Sequence, residues 1–592
     1  MTTYRAPIDE LKFALRQIAE IGELRELPAF SELSDDLVDA ILEEAGRFYA
    51  EVVAPGNRAA DRQGASLENR AVVPPPALDG IYQAYREGGW PSLTGNPEYG
   101  GQGLPHMLGF AVDEMMQSAN MAFSLLPLLT QGVITALGRY GSDSQKALYL
   151  PRLISGEWAG TMNLTEPDAG SDLAAVKTSA SPQGDHYLLR GQKIFITWGD
   201  QPYTDNIVHL VLARTPDAPA GTRGISLFIV PKFLVDDSGT PGRRNDVYPV
   251  GVEHKLGIHA SPTCTMAFGD DEGAVGYLVG EENQGLKYMF AMMNHARLAV
   301  GLQGVAIAER ARQQAAAYAR ERVQGRPPEC DQGAAIIRHP DVRRMLGVMK
   351  VLTQGGRALT SVAMYHFDHA VHGETDVERP YHQDRVDLLT PLVKGWCTEM
   401  ANEVTSLGIQ VHGGTGYIEE TGAAQHYRDA RIAAIYEGTN GIQAMDLMGR
   451  KLLADRGEVA DAVLDEMAEI PLACRAQGLD DLAEHVEAAL TRSRKALFHC
   501  LGETGRSPAF AGAVAFSMLM LLGTTFAAAW LAKGAARSAH LMGGNGDSPD
   551  FHNSRILWAR VFAEQVLPRT EAWFAAVVAG EEALMTLPDE EF

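Results

Sequence analysis

Short strand-like segments occupy one continuous part of the chain, from about residue 160 to residue 280. The runs HYLLRGQKIFIT, NIVHLVLART, GISLFIVPKF and TCTMAFGD are rich in β-branched and aromatic residues and are separated by Gly, Pro and Asp. This pattern predicts an antiparallel β domain. Helical patterning lies on both sides, and the Ala-rich stretch from Gly285 to Gly325 predicts one long helix. The order α, β, α therefore predicts an α+β fold that is mainly α.

The length of 592 residues is too great for one hydrophobic core. The changes in pattern predict five parts along the chain. These are an N-terminal extension (1–35), a helical N-terminal domain (36–160), an antiparallel β middle domain (161–280), a helical bundle (281–455) and an additional C-terminal helical domain (456–592).

Charge and cysteine content exclude some classes of function. A formal net charge of −24 disfavours binding to nucleic acid, because the two polyanions repel each other. The 5 cysteines are scattered without a CxxC motif, which indicates a reducing compartment. The first residues carry charges where the apolar core of a secretory signal would lie. We therefore expect a cytoplasmic protein.

One uncharged segment, residues 507–532, is long enough to span a bilayer. Its sequence, SPAFAGAVAFSMLMLLGTTFAAAWLA, is rich in Ala, Gly, Ser and Thr, which contribute little free energy of membrane insertion. We expect a buried helix of the C-terminal domain. Peripheral association with a membrane stays open.

A single carboxylate, Glu437, follows the apolar run IAAIY and precedes the turn GTNG. Gly and Asn tolerate the backbone that ends a helix, so a glutamate at a helix end is one interpretation. A desolvated carboxylate has a raised pKa, however, and this suits a general base at neutral pH. The residues alone leave both interpretations open.

Three other segments combine polar side chains with turns or strands. In TMNLTEPDAGSDLAAVKT, Thr165 and Ser171 flank a turn whose amides suit a phosphate, although an ordinary polar turn is the alternative. In GQKIFITWGD, two-residue periodicity places Phe195 and Thr197 on one face of a strand, against either a flat heterocycle or the core. QVHGGTGYIEE is a Gly-rich turn without the βαβ context of a dinucleotide fingerprint.

Three histidines lie close together in YHFDHAVH, at three-residue spacing. They are His366, His369 and His372, and Asp368 lies among them. The segment is predicted to be a loop without a helical frame, so we expect no metal site.

Five motifs in a fixed order carry a family resemblance. MNLTEPDAGSD, GQKIFITWGD, YARERVQG, QVHGGTGYIEE and IYEGTNGIQ, within an α–β–α layout, resemble the acyl-CoA dehydrogenase family over about residues 40–450. The start, YRAPIDELKFAL, and the long C-terminal helical region are similar to a larger subgroup. That subgroup includes 3-methylthiopropionyl-CoA dehydrogenases and related bacterial fatty acyl-CoA dehydrogenases.

The resemblance implies that FAD binds between the β domain and the helical bundle, with part of the site supplied by a neighbouring subunit. The protein is therefore expected to be at least a homodimer. Thr165 matches a threonine that bonds the flavin ring, and Thr197 matches a hydroxyl near flavin N5. The residues that the resemblance assigns to FAD are Met162, Leu164, Thr165, Gly170, Ser171, Phe195, Ile196, Thr197, Gly438, Thr439 and Gly441, together with Arg322, Gln410, Gly413 and Gly414 for the FAD of the partner.

The resemblance also assigns the chemistry. Glu437 matches the catalytic base that removes a proton from the carbon next to the thioester carbonyl, as hydride passes from the next carbon to the flavin. Ser171, Asn294 and Arg297 match positions near the acyl-CoA. A minority of relatives carry the base on the long helix, but Ala296 stands at that position here. Glu437 is therefore the candidate base.

The function implied by the resemblance is oxidation of a medium- or long-chain saturated acyl-CoA to the trans-2-enoyl-CoA in β-oxidation. Electrons would pass to an electron-transfer flavoprotein. Oxidation of 3-methylthiopropionyl-CoA is the close alternative. An acyl-CoA oxidase and a DNA-binding flavoprotein relative are further alternatives, the last disfavoured by the negative charge and the lack of a basic stripe.

Overall fold

The computed structural model describes residues 4–236, 238–328, 330, 332–503, 507–542 and 548–592. The chain divides into two compact units. The sheet unit contains Phe48–Leu104 and Ala119–Ala296, and the helical unit contains Met1–Arg47, Pro105–Ser118 and Arg297–Phe592. The division into five parts stays a prediction, whereas the fold class, mainly α with a β middle region, is confirmed.

Helices account for most of the described residues. In chain order they are α1 (Ile8–Phe13), α2 (Asp35–Phe48), α3 (Asn57–Gln63), α4 (Ile81–Glu87), α5 (His106–Ala119), α6 (Met121–Tyr140), α7 (Asp143–Ile154), α8 (Gly285–Glu321), α9 (Pro340–His372), α10 (Glu378–His412), α11 (Ala423–Arg431), α12 (Asn440–Asp446), α13 (Glu458–Met467), α14 (Glu469–Ala476), α15 (Asp480–Glu503), α16 (Phe510–Met542), α17 (Pro549–Gln565), α18 (Arg569–Ala579) and α19 (Glu582–Thr586).

The strands all lie in the sheet unit. They are β1 (Ser66–Glu68), β2 (Ala71–Val73), β3 (Trp158–Asn163), β4 (Ser179–Gln183), β5 (His186–Thr197), β6 (Asn206–Ala213), β7 (Ser226–Pro231), β8 (Phe233–Val235), β9 (Pro241–Arg244), β10 (Val247–Val252), β11 (Thr263–Phe268) and β12 (Ala274–Leu278). The large sheet has the order β10-β11-β5-β12-β7-β6-β3, and β4 pairs with β5. The pairs β1–β2 and β8–β9 form separate hairpins.

The predicted β domain is confirmed, but it is not wholly antiparallel. Strand β3 pairs with β6 in parallel, while the other pairs are antiparallel. Parallel pairing needs a long crossover between the two strands. The chain provides it, because β4 and β5 lie between β3 and β6 in sequence.

Helix α6 packs closely on strand β3. The Gly160 N–H donates to Thr130 Oγ1 at 3.0 Å. A Cβ at Gly160 would lie 2.6 Å from Val133, so only glycine allows this approach. Buried residues of α6, α7 and β3 form one core on this side, and Leu189, Ile196 and other sheet residues form a second core. Packing of this kind holds β3, and therefore the segment that follows it, in a fixed position.

Long helices build the helical unit. The predicted long helix is confirmed as α8, although its first 12 residues belong to the sheet unit. Helices α9 and α10 form a hairpin around residues 373–377. Helix α16 packs against both of them and against α15, α17 and α18. By length and composition α6 and α16 could each cross a membrane, but most of their apolar residues are buried, as expected for the segment 507–532.

The prediction of a loop for YHFDHAVH is wrong, because the segment forms the last turns of α9. Three-residue spacing of histidines is compatible with one face of a helix. Asp368 has a separate role there: its carboxylate accepts hydrogen bonds from the N–H groups of His106 and Met107, both at 2.9 Å. The acid therefore caps the first turn of α5 instead of joining the histidines.

The N-terminal segment is tied into the helical unit by ion pairs. Glu20 accepts from Lys533 Nζ at 2.6 Å and from Arg537 at 2.5 Å, both on α16. Glu10 pairs with Lys350 of α9 at 2.7 Å and with Arg555 of α17. The segment therefore packs on helices that lie far away in sequence.

Candidate active site

Glu437 lies in a tight bend between the short helical turn Ile432–Ala434 and helix α12. Its φ is +55°, and Gly438 follows with a φ of +82°. A left-handed backbone at a residue other than glycine costs about 1–3 kcal/mol and is found mostly at functional sites. The bend is fixed because Gln443 Nε2 donates to the Glu437 carbonyl at 3.2 Å and Thr439 caps α12. The structure thus holds this carboxylate at a strained position.

Two cations act on the Glu437 carboxylate. Burial by surrounding protein atoms raises the pKa of Glu437, while Arg297 and Lys394 oppose this rise. Both cations are buried, and Arg297 also lies 3.8 Å from Asp446. The pKa of the Glu437 carboxyl therefore stays above its ordinary value, while Arg297 and Lys394 stabilise its anionic form. This is the property of a proton acceptor that works near neutral pH.

Lys394 is a residue that sequence reasoning missed. Its side chain is fully buried on α10, and its Nζ donates to Asn440 Oδ1 at 2.9 Å. Burial lowers the pKa of Lys394 to about 7, although Glu437 acts in the opposite direction. Asn440 also donates to Thr398 Oγ1 at 2.9 Å and to Glu399 Oε1 at 2.7 Å. The signal in the sequence is a lone lysine in the apolar run LLTPLVKGWC.

In the sheet unit, the segments around Thr165 and Phe195 lie side by side. The Thr165 carbonyl accepts from the Ile194 N–H at 2.9 Å. Strand β5 has a bulge against β11 here, and Phe195 has a φ of +61° with 58% of its surface exposed. Thr197 is partly exposed, as two-residue periodicity predicts. Ile196 is buried in the core, so only its backbone is available to a ligand.

A buried ion pair supports the loop that carries Thr165 and Ser171. Glu166 Oε1 lies 2.8 Å from Lys193 Nζ, and both side chains are buried. The Glu166 carboxylate also accepts from the N–H groups of Lys177 and Thr178, at 2.7 and 3.0 Å. Burial alone would raise the pKa of Glu166, but Lys193 and these hydrogen bonds hold it below its usual value. Sequence reasoning missed this pair.

The remaining residues assigned to the sheet unit differ in exposure. Met162 is buried between α6 and the sheet, and Leu164 is partly buried. Gly170 and Ser171 are exposed at the end of the loop, and Asn294 is partly exposed on α8.

The exposed groups of the sheet unit fit a flat polar ring system. The hydroxyls of Thr165, Ser171 and Thr197 make no hydrogen bond with any residue that the structure describes. With the exposed Phe195 ring, they offer both polar contacts and an apolar surface. The donor set and the exposed ring therefore fit the isoalloxazine ring of a flavin.

The helical unit gathers the other predicted residues in two places. Arg297, Gly438 and Thr439 surround Glu437, and Gly441 follows on the first turn of α12. At a second place, the end of α8 meets the turn after α10, because the Tyr318 hydroxyl lies 3.0 Å from Thr415 Oγ1. The exposed residues there are Arg322, Gln410, Gly413 and Gly414.

Comparison with known proteins covers almost the whole chain. Four family models match in order: acyl-CoA dehydrogenase N-terminal domain (36–157), middle domain (161–270), C-terminal domain (283–453) and acetyl-CoA dehydrogenase C-terminal like (459–588). The chain is 47% identical to 3-methylmercaptopropionyl-CoA dehydrogenase of Ruegeria pomeroyi over 99% of both chains. It is 32% identical to the broad-specificity linear acyl-CoA dehydrogenase FadE5 of Mycobacterium tuberculosis over 100% of both.

A solved acyl-CoA dehydrogenase of Bacillus anthracis, complexed with FAD, has the same fold. It matches with a TM-score of 0.75 and 21% identity, over 99% of this chain and 93% of that one. Fold and site together define a flavin-dependent oxidoreductase. The chain belongs to the acyl-CoA dehydrogenase family, which confirms the expected enzyme class, the FAD cofactor and an acyl-CoA substrate.

Replacing Lys394 with methionine tests the electrostatic control of Glu437. The lysine stabilises the Glu437 anion, so its loss raises the pKa of Glu437 further. The rate of flavin reduction by substrate rises as the base deprotonates, and in Lys394→Met this rise shifts to higher pH. Stopped-flow measurement from pH 5 to pH 9 checks it.

The matched control is Lys451→Met, since Lys451 pairs with Asp387 away from this cluster. Its pH profile is expected to match that of the wild type. FAD content is measured for both variants to show that the fold is retained. An unshifted profile in Lys394→Met at full FAD content would contradict the assignment.

Proposed function

We propose that the protein oxidises a short saturated acyl-CoA to its trans-2-enoyl-CoA, with 3-methylmercaptopropionyl-CoA as the first candidate substrate. The observation that carries the reaction is Glu437, held in a left-handed bend with its pKa raised by burial. The observation that carries the substrate is the 47% identity, over both full lengths, to an enzyme named for that thioester. The longer fatty acyl-CoA favoured by the motifs becomes the second candidate, supported by the similarity to FadE5.

The chain's own residues account for the proton transfer. Glu437 accepts the α-proton, and the electron pair of that C–H bond moves towards the thioester carbonyl. Arg297 and Lys394 stabilise the anionic base before the transfer. The backbone N–H of Glu437 donates to no acceptor among the described residues. It can therefore donate a hydrogen bond to the thioester oxygen. Bound FAD supplies the acceptor for the β-hydride.

The sheet unit supplies the proposed flavin contacts. Thr165 and Thr197 would hydrogen-bond the ring, and Phe195 would pack against it. The ion pair of Glu166 with Lys193 keeps the loop beside strand β5. Strand β5 and the loop that carries Thr165 and Ser171 would therefore hold the cofactor in a fixed position.

Glu437→Gln tests the proposed base. Glutamine keeps the size and hydrogen-bonding capacity of the side chain but cannot accept the proton at its amide. FAD and acyl-CoA are expected to bind, while flavin reduction under anaerobic conditions falls by about 10²- to 10⁴-fold, the usual contribution of a general base. Glu420→Gln, at an exposed glutamate of the same unit, is the control and is expected to keep the wild-type rate. Near-normal reduction in Glu437→Gln would place the base elsewhere.

A panel of substrates tests the chain length and the electron acceptor. We expect 3-methylmercaptopropionyl-CoA and butyryl-CoA to reduce the flavin with a higher kcat/KM than octanoyl-CoA or palmitoyl-CoA. Reoxidation by an electron-transfer flavoprotein is expected to be faster than by oxygen. Preference for the long chains would favour the second candidate. Stoichiometric hydrogen peroxide would indicate an acyl-CoA oxidase instead.

We further propose a homodimer in the cytoplasm that acts in acyl-CoA degradation. The support is the exposed group Arg322, Gln410, Gly413 and Gly414, which the family resemblance assigns to the FAD of a partner subunit. No residue of the group lies in the bend around Glu437. In a homodimer these exposed residues would contact the FAD of the partner subunit.

Light scattering after gel filtration tests the assembly, with a dimer mass expected. Arg322→Ala is expected to weaken FAD binding, read as a larger Kd for FAD on reconstitution. The control is Arg320→Ala, an exposed arginine two residues earlier in the last turn of α8, which is expected to leave the Kd unchanged. A monomer with full FAD occupancy would contradict the proposal.

A further inference from the structure

A second polar cluster lies at the tip of the α9–α10 hairpin, in the helical unit. His366 and His369 are one turn apart on α9, and Glu378 and His382 are one turn apart on α10. One ligand atom from each of His369, Glu378 and His382 lies within 4.8 Å of those from the other two. We propose that these three residues bind a divalent transition metal ion, and that the ion is Zn²⁺.

The distances are close to those that a zinc ion needs. His369 Nδ1 lies 3.1 Å from Glu378 Oε1. The rings of His369 and His382 are stacked, with centroids 4.4 Å apart. Zn–N and Zn–O bonds are about 2.0–2.2 Å, so tetrahedral ligands lie about 3.3–3.5 Å from one another. The 3.1 Å separation of His369 Nδ1 and Glu378 Oε1 is close to that spacing.

Burial separates this cluster from an ordinary surface group. His369 and His382 are each only 8% exposed. Nε2 of His369 is buried and has no hydrogen-bond partner among the described residues. A buried polar atom without a partner costs free energy, which a bound ion and its ligand shell would recover.

A fourth residue orients the site. His366 Nδ1 lies 2.8 Å from His382 Nδ1, so one of the two rings donates to the other. Histidine ligands are commonly held in this way by a hydrogen bond at the second ring nitrogen. His366 is therefore a positioning residue, and the three ligands leave one coordination position open, as in zinc sites that exchange a ligand.

The cationic side chains that act on the cluster have carboxylate partners of their own. Arg385 and Lys533 both act on His366. Arg385 pairs with Glu466 on α13, and Lys533 pairs with Glu20 at 2.6 Å. Glu378 therefore remains as the carboxylate of the cluster that is available to a positive ion. Imidazole and carboxylate ligands together select zinc over Mg²⁺ or Ca²⁺, which prefer oxygen ligands alone.

A cavity of about 610 Å³ borders the positioning residue His366. It lies within the helical unit among α9, α10, α13, α14 and α16, and His366 lines it together with Tyr365 and Arg385. Its lining includes His366 but none of the three proposed ligands. None of the residues assigned to FAD or to acyl-CoA lines this cavity, so the site is separate from the one around Glu437.

The test uses the full-length protein with FAD bound, stripped of metals by a chelator and dialysed against Zn²⁺. Elemental analysis is expected to find one zinc per chain in the wild type. His369→Gln and His382→Gln are expected to bind zinc at least about 10-fold more weakly, and His366→Ala about 10- to 100-fold more weakly, as for a residue that orients a ligand. Mg²⁺ at the same concentration is expected to leave the zinc content unchanged.

The matched control is His372→Gln, which changes a histidine of the same helix that contacts Phe30 instead of the cluster. It is expected to bind zinc as the wild type does. Zn²⁺ should raise the Tm of the wild type and of His372→Gln but not of His369→Gln, because only an ion bound to the folded state stabilises it. The FAD content of each variant shows that it has folded.

Two results would overturn the proposal. One is the absence of stoichiometric zinc in the stripped and reloaded wild type, which would leave the cluster as a hydrogen-bonded group of histidines and Glu378. The other is equal zinc binding in the wild type and in folded His369→Gln and His382→Gln. Either result would leave the assignment of Glu437 intact, since the two sites share no residue.

Discussion

The proposed role of Glu437 depends on the balance between desolvation and charge at its carboxylate. Burial raises the pKa of this carboxylate, and Arg297 and Lys394 limit the rise. Full burial without the cations would leave the acid protonated and unable to accept a proton, whereas full exposure would make it a weak base with an ordinary pKa. The α10 lysine, whose own pKa burial lowers to about 7, is therefore one of the two cations that limit this rise.

Two predicted site residues, one in each unit, combine strained backbone with rigid support. Glu437 and Phe195 each have a left-handed φ, and each is next to a buried polar anchor. Asn440 fixes the first through Lys394, and the Glu166–Lys193 pair fixes the second through the adjoining loop. Strain of this kind persists only where the surrounding structure determines the conformation, and these buried, hydrogen-bonded anchors provide that support.

The sequence predicted the fold class and the long helix α8, because both have a clear periodicity. It placed Phe195 and Thr197 on one face of β5 but left open whether that face lies in the core or meets a ligand. The position of Glu437 after an apolar run left a helix end and a general base both open, and only the family resemblance assigned it as the base. Lys394, Glu166 and Lys193 were missed, since a buried ion pair joins residues whose closeness appears only after folding. The histidine segment was misjudged for a related reason: its partners, Glu378 and His382, lie on the next helix, and Asp368 bonds to α5.

The proposed removal of a proton by Glu437 can be measured apart from hydride transfer. An acyl-CoA analogue with sulfur in place of the β-carbon keeps its α-hydrogens but has no β-hydride to lose. In D₂O, the wild-type protein with FAD bound is predicted to exchange these α-hydrogens for deuterium, detected by NMR or mass spectrometry. Glu437→Gln is predicted to slow the exchange by at least about 10²-fold. Equal exchange by the two proteins would show that another group removes the proton and would contradict the central claim.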